Sequence, residues 1–172
     1  MGLILKQDLK ILNEIRSKND PREYLKHLWI SPNVLLASDG HALFAIRYND
    51  SVVDKGSKEF DRENLGEFVL VDLDQKENHY IEYRDGKYYD GQKPLDTFDI
   101  QKPNMNTYIR NLKLHIADTW IDINAEYHYK AMCLLHSKKT FCARAYAIEH
   151  NHAVVFQTNT YFAMLSAIYF DD

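Results

Sequence analysis

No stretch of this sequence is apolar for long enough to span a membrane or form the core of a secretory signal. The start, Met1-Gly2-Leu3-Ile4-Leu5-Lys6, offers three adjacent large aliphatic residues before charge resumes. A cytoplasmic protein without membrane contact is therefore expected. Gly2 resembles an acylation start, but Lys6 stands where that signal needs Ser or Thr. Cysteine is scarce: Cys133 and Cys142 form neither a Cys-x-x-Cys pair nor a secreted spacing, so reduced core thiols are expected in place of a disulfide or metal site. Positive charge is in deficit too, with 21 Lys and Arg against 25 Asp and Glu, a net −4. This excludes a protein that coats nucleic acid through bulk charge, and any DNA contact must come from a local basic surface. There is no Gly-rich phosphate loop, paired-metal carboxylate cluster or nucleotide fingerprint, so neither enzymatic activity nor a cofactor is expected.

What is present is apolar and aromatic mass. The 172 residues are 45% hydrophobic, with 12 Tyr and 8 Phe spread along the chain, enough for one well-buried core. From Lys6 to Lys18, Leu9, Ile11, Leu12 and Ile15 recur at helical spacing, with Lys6, Lys10, Asn13 and Ser17 on the other face. Asn19-Asp20-Pro21 ends that helix. Strands are predicted over Tyr24–Ile30, Val34–Ala37 and Ala42–Arg47, with turns at Ser31-Pro32-Asn33 and at Asp39-Gly40, where glycine accepts positive φ. Asn49–Asn64 is polar and reads as a surface loop. Phe68–Leu73 reads as a strand, and Tyr80–Tyr83 with Lys87–Tyr89 as a hairpin about Asp85-Gly86. Asp90–Leu114, interrupted by Pro94 and Pro103, reads as a connector.

The last third repeats the opening. Trp120–Ile123 is a predicted strand, Asn124 a helix N-cap, and Ala125–Ser137 a helix with Tyr127, Ala131, Leu134 and Leu135 on one face. Strands are predicted at Phe141–Ile148, Ala153–Phe156 and Tyr161–Phe170. Helix followed by three strands therefore occurs twice, as in a duplicated unit.

The run Asp20-Pro21-Arg22-Glu23-Tyr24-Leu25, followed by Val34-Leu35-Leu36-Ala37-Ser38-Asp39-Gly40-His41-Ala42-Leu43, resembles the DNA polymerase III beta subunit, the bacterial sliding clamp. That family carries Arg-Tyr-Tyr-Leu and then Ala-Thr-Asp-Gly-His-Arg-Leu. Ala42 replaces the family's arginine, and Leu165-Ser166-Ala167-Ile168 replaces its closing Met-Pro-Met-Arg. The resemblance covers the first fifty and last fifty-five residues, roughly, and points to a single-domain homologue of phage or plasmid type. It implies an α+β clamp domain over 1–172, with a first unit over about 1–50, middle strands and connector over about 51–115, and a second unit over about 116–172. The two helix-plus-antiparallel-sheet units would be related by a pseudo-twofold, helices toward a DNA channel and sheets outward.

By the same resemblance, Leu25, Ser38, Gly40, His41 and Leu43 would line a pocket for short hydrophobic motifs of partner proteins, with Met164 and Ile168 opposite. Neighbouring residues of one hairpin cannot align as nucleophile, base and orienter, so Ser38, Asp39 and His41 are no triad. Lys6, Lys10, Arg16, Lys18, Lys130, Lys138 and Lys139 would face double-stranded DNA. About two phosphate contacts give a salt slope near −1.8, so a lone copy would hold DNA feebly and residence would need a homo-oligomeric ring. An inhibitor or decoy that binds a host clamp, clamp loader or defence complex without DNA is the rival reading, favoured by Ala42 and the acidic balance. His150-Asn151-His152 suits a hairpin tip better than a metal site, as do His128, Cys133 and His136 a helix surface.

Overall fold

The computed structural model describes residues 1–49, 56–57, 59–136, 144–148 and 152–168. Along the chain run β1 (Gly2–Ile4), α1 (Lys6–Ile15), a 3-10 turn (Glu23–Lys26), β2 (Leu28–Ile30), β3 (Val34–Ser38) and β4 (Ala42–Arg47). Then follow β5 (Val69–Val71), β6 (His79–Arg84), β7 (Lys87–Asp90), β8 (Lys93–Pro94), β9 (Thr97–Phe98), α2 (Met105–Arg110) and β10 (Leu114–His115). The chain closes with α3 (Ala125–His136), β11 (Arg144–Ile148), β12 (Ala153–Gln157) and β13 (Tyr161–Ser166).

The predicted duplication organises this architecture. Nine strands form one antiparallel sheet in the order β10-β11-β12-β13-β4-β3-β2-β5-β9. Its central pair joins the last strand of each unit, Phe44 opposite Ala163. Outward from that pair, β3 and β2 on one side mirror β12 and β11 on the other, so an approximate twofold passes between β4 and β13. A second sheet, β1-β6-β7-β8, turns at Asp85 and Gly86, whose φ values of 50° and 75° suit a tight hairpin.

Both faces of the large sheet are covered. This explains why β3 and β4 are apolar at every position but their ends and do not alternate. On one face, Leu9, Leu12 and Ile15 of α1 and Ala131, Leu134 and Leu135 of α3 pack on Leu35, Ala37, Phe44 and Ala163. On the other, Leu36, Leu43, Phe162 and Met164 lie beneath Phe60, Leu65, Phe68, Met105 and Ile109. This second layer lies on the face opposite the helices. Of the predicted surface loop Asn49–Asn64, the described residues 59–64 are held against the sheet. Phe60 is buried, its amide donates to Gln157 Oε1 at 3.3 Å, and the guanidinium of Arg47 donates to the carbonyls of Asp61 and Asn64 at 2.5 and 3.3 Å.

Local expectations failed where side chains redirected the backbone. The helix predicted to Lys18 stops at Ile15, where Arg16 turns extended and the Ser17 amide donates to the Leu25 carbonyl. Asn13 is buried with α1's apolar face and donates to the Leu73 carbonyl at 3.4 Å. Tyr24–Ile30 begins as the 3-10 turn and not as a strand, because Asp20 Oδ1 accepts from the Arg22 amide at 2.8 Å and curls the chain. The predicted strand Trp120–Ile123 is reduced to a bridge between Ile123 and Ala167, since β10 already occupies the edge beside β11. The connector contains α2, capped by Asn104 Oδ1 accepting from the Thr107 amide at 3.0 Å. The Asn124 cap stands as expected, accepting from the amides of Glu126 and Tyr127 at 2.9 and 3.2 Å. Lys138, Lys139, Cys142, His150 and Asn151, with the ends predicted at 141–143 and 169–170, lie outside the described residues.

Candidate functional site: an apolar cleft at the Asp39-Gly40-His41 turn

The turn joining β3 to β4 is held from several directions. Asp39 Oδ1 accepts from the amides of His41 and Ala42, each at 2.8 Å. Ser38 Oγ donates to the Ala42 carbonyl at 2.8 Å and accepts from the Gly40 amide at 3.1 Å. The His41 carbonyl accepts from the Ser166 amide at 2.9 Å, tying the turn to the end of β13. From the helical face, the Tyr127 hydroxyl of α3 donates to Asp39 Oδ2. Burial first, and then that hydrogen bond, push the Tyr127 phenol above its ordinary range. Gly40 has a φ of +90°, a left-handed backbone that residues with a side chain rarely adopt, so the position favours glycine.

Beside this turn a cleft of about 220 Å³ opens. Ser38, Gly40, His41, Ala42 and Leu43 form one wall and Met164 of β13 adjoins them. Pro103, Met105 and Tyr108, in and before α2, complete it. The Tyr108 hydroxyl stands 3.7 Å from Met164 Sδ, joining the two sides. The lining is mostly apolar and two of its members are methionines, whose flexible thioethers adapt to varied side chains.

Five residues predicted for a pocket, Ser38, Gly40, His41, Leu43 and Met164, are brought together here. Leu25 is not among them: the 3-10 turn buries it elsewhere. Nor is Ile168, which lies beyond β13 with its amide donating to the Asp122 carbonyl at 2.7 Å. Pro103, Met105 and Tyr108 were missed because two prolines disguised the segment. The available signal was Asn104 as a cap before Met105, Tyr108 and Ile109 at helical spacing.

The basic residues divide differently. Arg16, Lys18 and Lys130 line one polar groove of about 620 Å³ between α1 and α3, together with Glu14 and Asp74. Arg16 is paired with Asp72 at 2.7 Å and donates to the Lys26 carbonyl at 3.0 Å, while Lys130 is paired with Glu126 at 2.8 Å. Lys6 and Lys10 are exposed on α1, outside that groove. No group of three metal-ligating side chains stands together among the described residues. No helix among them is long and apolar enough to cross a membrane.

No protein-family model and no curated protein matches the sequence. Solved structures do match the fold. The DNA polymerase III subunit beta from Pseudomonas aeruginosa superposes with a TM-score of 0.53 at 8% identity, over 99% of this chain and 65% of that one. The chain has the sliding-clamp fold. A ligand-bound DNA polymerase sliding clamp from Pseudomonas aeruginosa gives a TM-score of 0.51 at 9% identity, over 99% of this chain and 66% of that one. The chain thus spans just under two thirds of the length of each clamp.

An ion pair lies beside this turn, with Arg22 Nη2 next to Gly40. Arg22 grips Asp20 with Nε and Nη2, both at 2.8 Å, and holds the Asp20 carboxyl at about 2, below its ordinary 3.8. A carboxyl lowered by folding contributes stability above its unfolded pKa, and that contribution is lost as pH falls through the folded value. NMR titration of the Asp20 side chain is expected to give a midpoint near 2, with the pair to Arg22 lost as pH falls through that value. A midpoint near 3.8 would mean that Arg22 does not hold it.

Proposed function

We propose that this is a non-enzymatic clamp-like protein that docks DNA-replication or repair proteins by seating a short apolar motif between the Asp39-Gly40-His41 turn and Met164. The observation carrying this reading is the cleft itself, where a rigid turn, β13 and α2 converge on an apolar space. At about 220 Å³ it lies below the roughly 300–1,000 Å³ usual for small-molecule sites, and fits one or two anchoring side chains better than a cofactor. Leu43, Met105 and Met164 belong to the layer opposite α1 and α3. Docking on one face therefore leaves the helical face, with Lys6, Lys10, Arg16, Lys18 and Lys130, for double-stranded DNA. Contact there is weak and salt-sensitive, and lasting residence requires a homo-oligomer.

A second reading drops DNA and makes the chain an inhibitor or decoy for a clamp, clamp loader or defence complex. The ion pairs already made by Arg16 and Lys130 favour it, because phosphate would have to displace Asp72 and Glu126. Fluorescence polarisation with a labelled clamp-binding-motif peptide tests the cleft: micromolar binding is expected, weakened about tenfold in Tyr108→Ala, which removes one wall. No peptide binding rejects the docking reading. Peptide binding without retention of circular duplex DNA at low salt selects the decoy.

A further inference from the structure

The loop 116–122 leaves large apolar side chains in water. Ile116 is 84% exposed and Trp120 97%. Its stems are nevertheless fixed. Upstream, Leu114 and His115 pair with Ile148 and Ala147. Downstream, Ile123 bridges Ala167, and the Asp122 carbonyl accepts from the Ile168 amide at 2.7 Å. An anchor on fixed stems loses little conformational freedom when it binds. Tryptophan is also the residue most enriched among interface anchors, where it fills a desolvated pocket on the partner.

The molecule itself offers such a pocket. The cleft bounded by Leu43, Met105, Tyr108 and Met164 has room for a single large side chain. Charge is complementary as well. Asp118 and Asp122 flank Trp120, and beyond Pro103 and Met105 the cleft continues into a groove lined by Lys102 and Arg110, with Glu67 as its one acid. α2 supplies part of the cleft and leads through β10 straight into the loop, so every copy presents anchor and pocket at different places. That arrangement is heterologous and joins copies head to tail.

We propose that Trp120 of one copy seats in the cleft of a second copy, so that the protein's own loop assembles the chain and competes with partner motifs for the same pocket. The inference rests on the reading of the cleft as a motif-docking site. Sedimentation velocity on the full chain is expected to show concentration-dependent association, weakened about thirtyfold in Trp120→Ala, the effect of truncating a buried tryptophan anchor. Because Trp120 is exposed, this variant should melt like the parent. Tyr108→Glu, at a half-exposed position, blocks the cleft but leaves the anchor. At concentrations where the parent associates, neither variant alone should do so appreciably, yet a mixture should form a heterodimer that goes no further, with blue-shifted emission from the newly buried Trp120. The proposal is overturned if the parent stays monomeric, if Trp120→Ala associates like the parent, or if the mixture yields no heterodimer. Peptide binding by Trp120→Ala separates the two readings: retained binding while the parent stays monomeric sinks only this inference, and loss of peptide binding together with a monomeric parent sinks the docking site too.

Discussion

Replacing Arg47 by alanine is expected to destabilise the protein by roughly 3–5 kcal/mol, a change read as a fall in the urea midpoint without loss of two-state behaviour. Arg47 is 1% exposed at the end of β4, and its guanidinium lies 5.1 Å from the Phe60 ring centroid while donating to the Asp61 and Asn64 carbonyls. Truncation leaves two acceptors without their charged donor, opens a cavity beside Phe60, and frees the segment that buries Phe60 and Leu65 over the second face. An opposing effect is present: burial lowers the Arg47 pKa, so the charge is held at some cost. Arg47→Met separates the contributions, since it fills the space without a charge. A loss of about 1–2 kcal/mol for Met against the larger loss for Ala is expected, and equal losses would mean that packing is irrelevant.

Trp29→Ala is expected to cost a similar 3–5 kcal/mol. The indole is fully buried in β2, in edge contact with Tyr24 at 5.9 Å and Phe68 at 6.4 Å between centroids, and Nε1 donates to the Tyr24 carbonyl at 3.1 Å. Its removal breaks the junction between the 3-10 turn and the second core layer, which α2 and the cleft share through Phe68 and Met105. Trp29→Phe keeps most of the apolar contact and loses the hydrogen bond, so about 1–2 kcal/mol is expected. Differential scanning calorimetry of the two variants checks the ordering, and a Phe variant as unstable as Ala would show that the hydrogen bond outweighs packing. The two tryptophans also report separately, Trp29 on folding and Trp120 on association.

The cleft was legible in part. Ser38, Gly40, His41, Leu43 and Met164 were identified through the Asp-Gly-His turn and the position of the closing strand, and they meet in one place. Pro103, Met105 and Tyr108 were not, because α2 is a helix of six residues, too short for periodicity to declare itself. Leu25 was misplaced for a local reason: the Asp20 side chain curls the backbone into a 3-10 turn where β-formers such as Tyr24 and Trp29 had argued for a strand.

By itself, the sequence determined what nearest neighbours and periodicity control. The helical face of α1, the Asn124 cap of α3, the Asp39-Gly40 and Asp85-Gly86 turns and the twofold repetition of helix and strands all follow from residue types a few positions apart. Only the tertiary structure decided which strands meet at the centre, that both sheet faces are covered, and that Arg16 and Lys130 spend their charge on Asp72 and Glu126. Those outcomes depend on pairings between residues tens of positions apart, Phe44 with Ala163 and Arg16 with Asp72 among them, whose energies exist only once the chain has closed on itself.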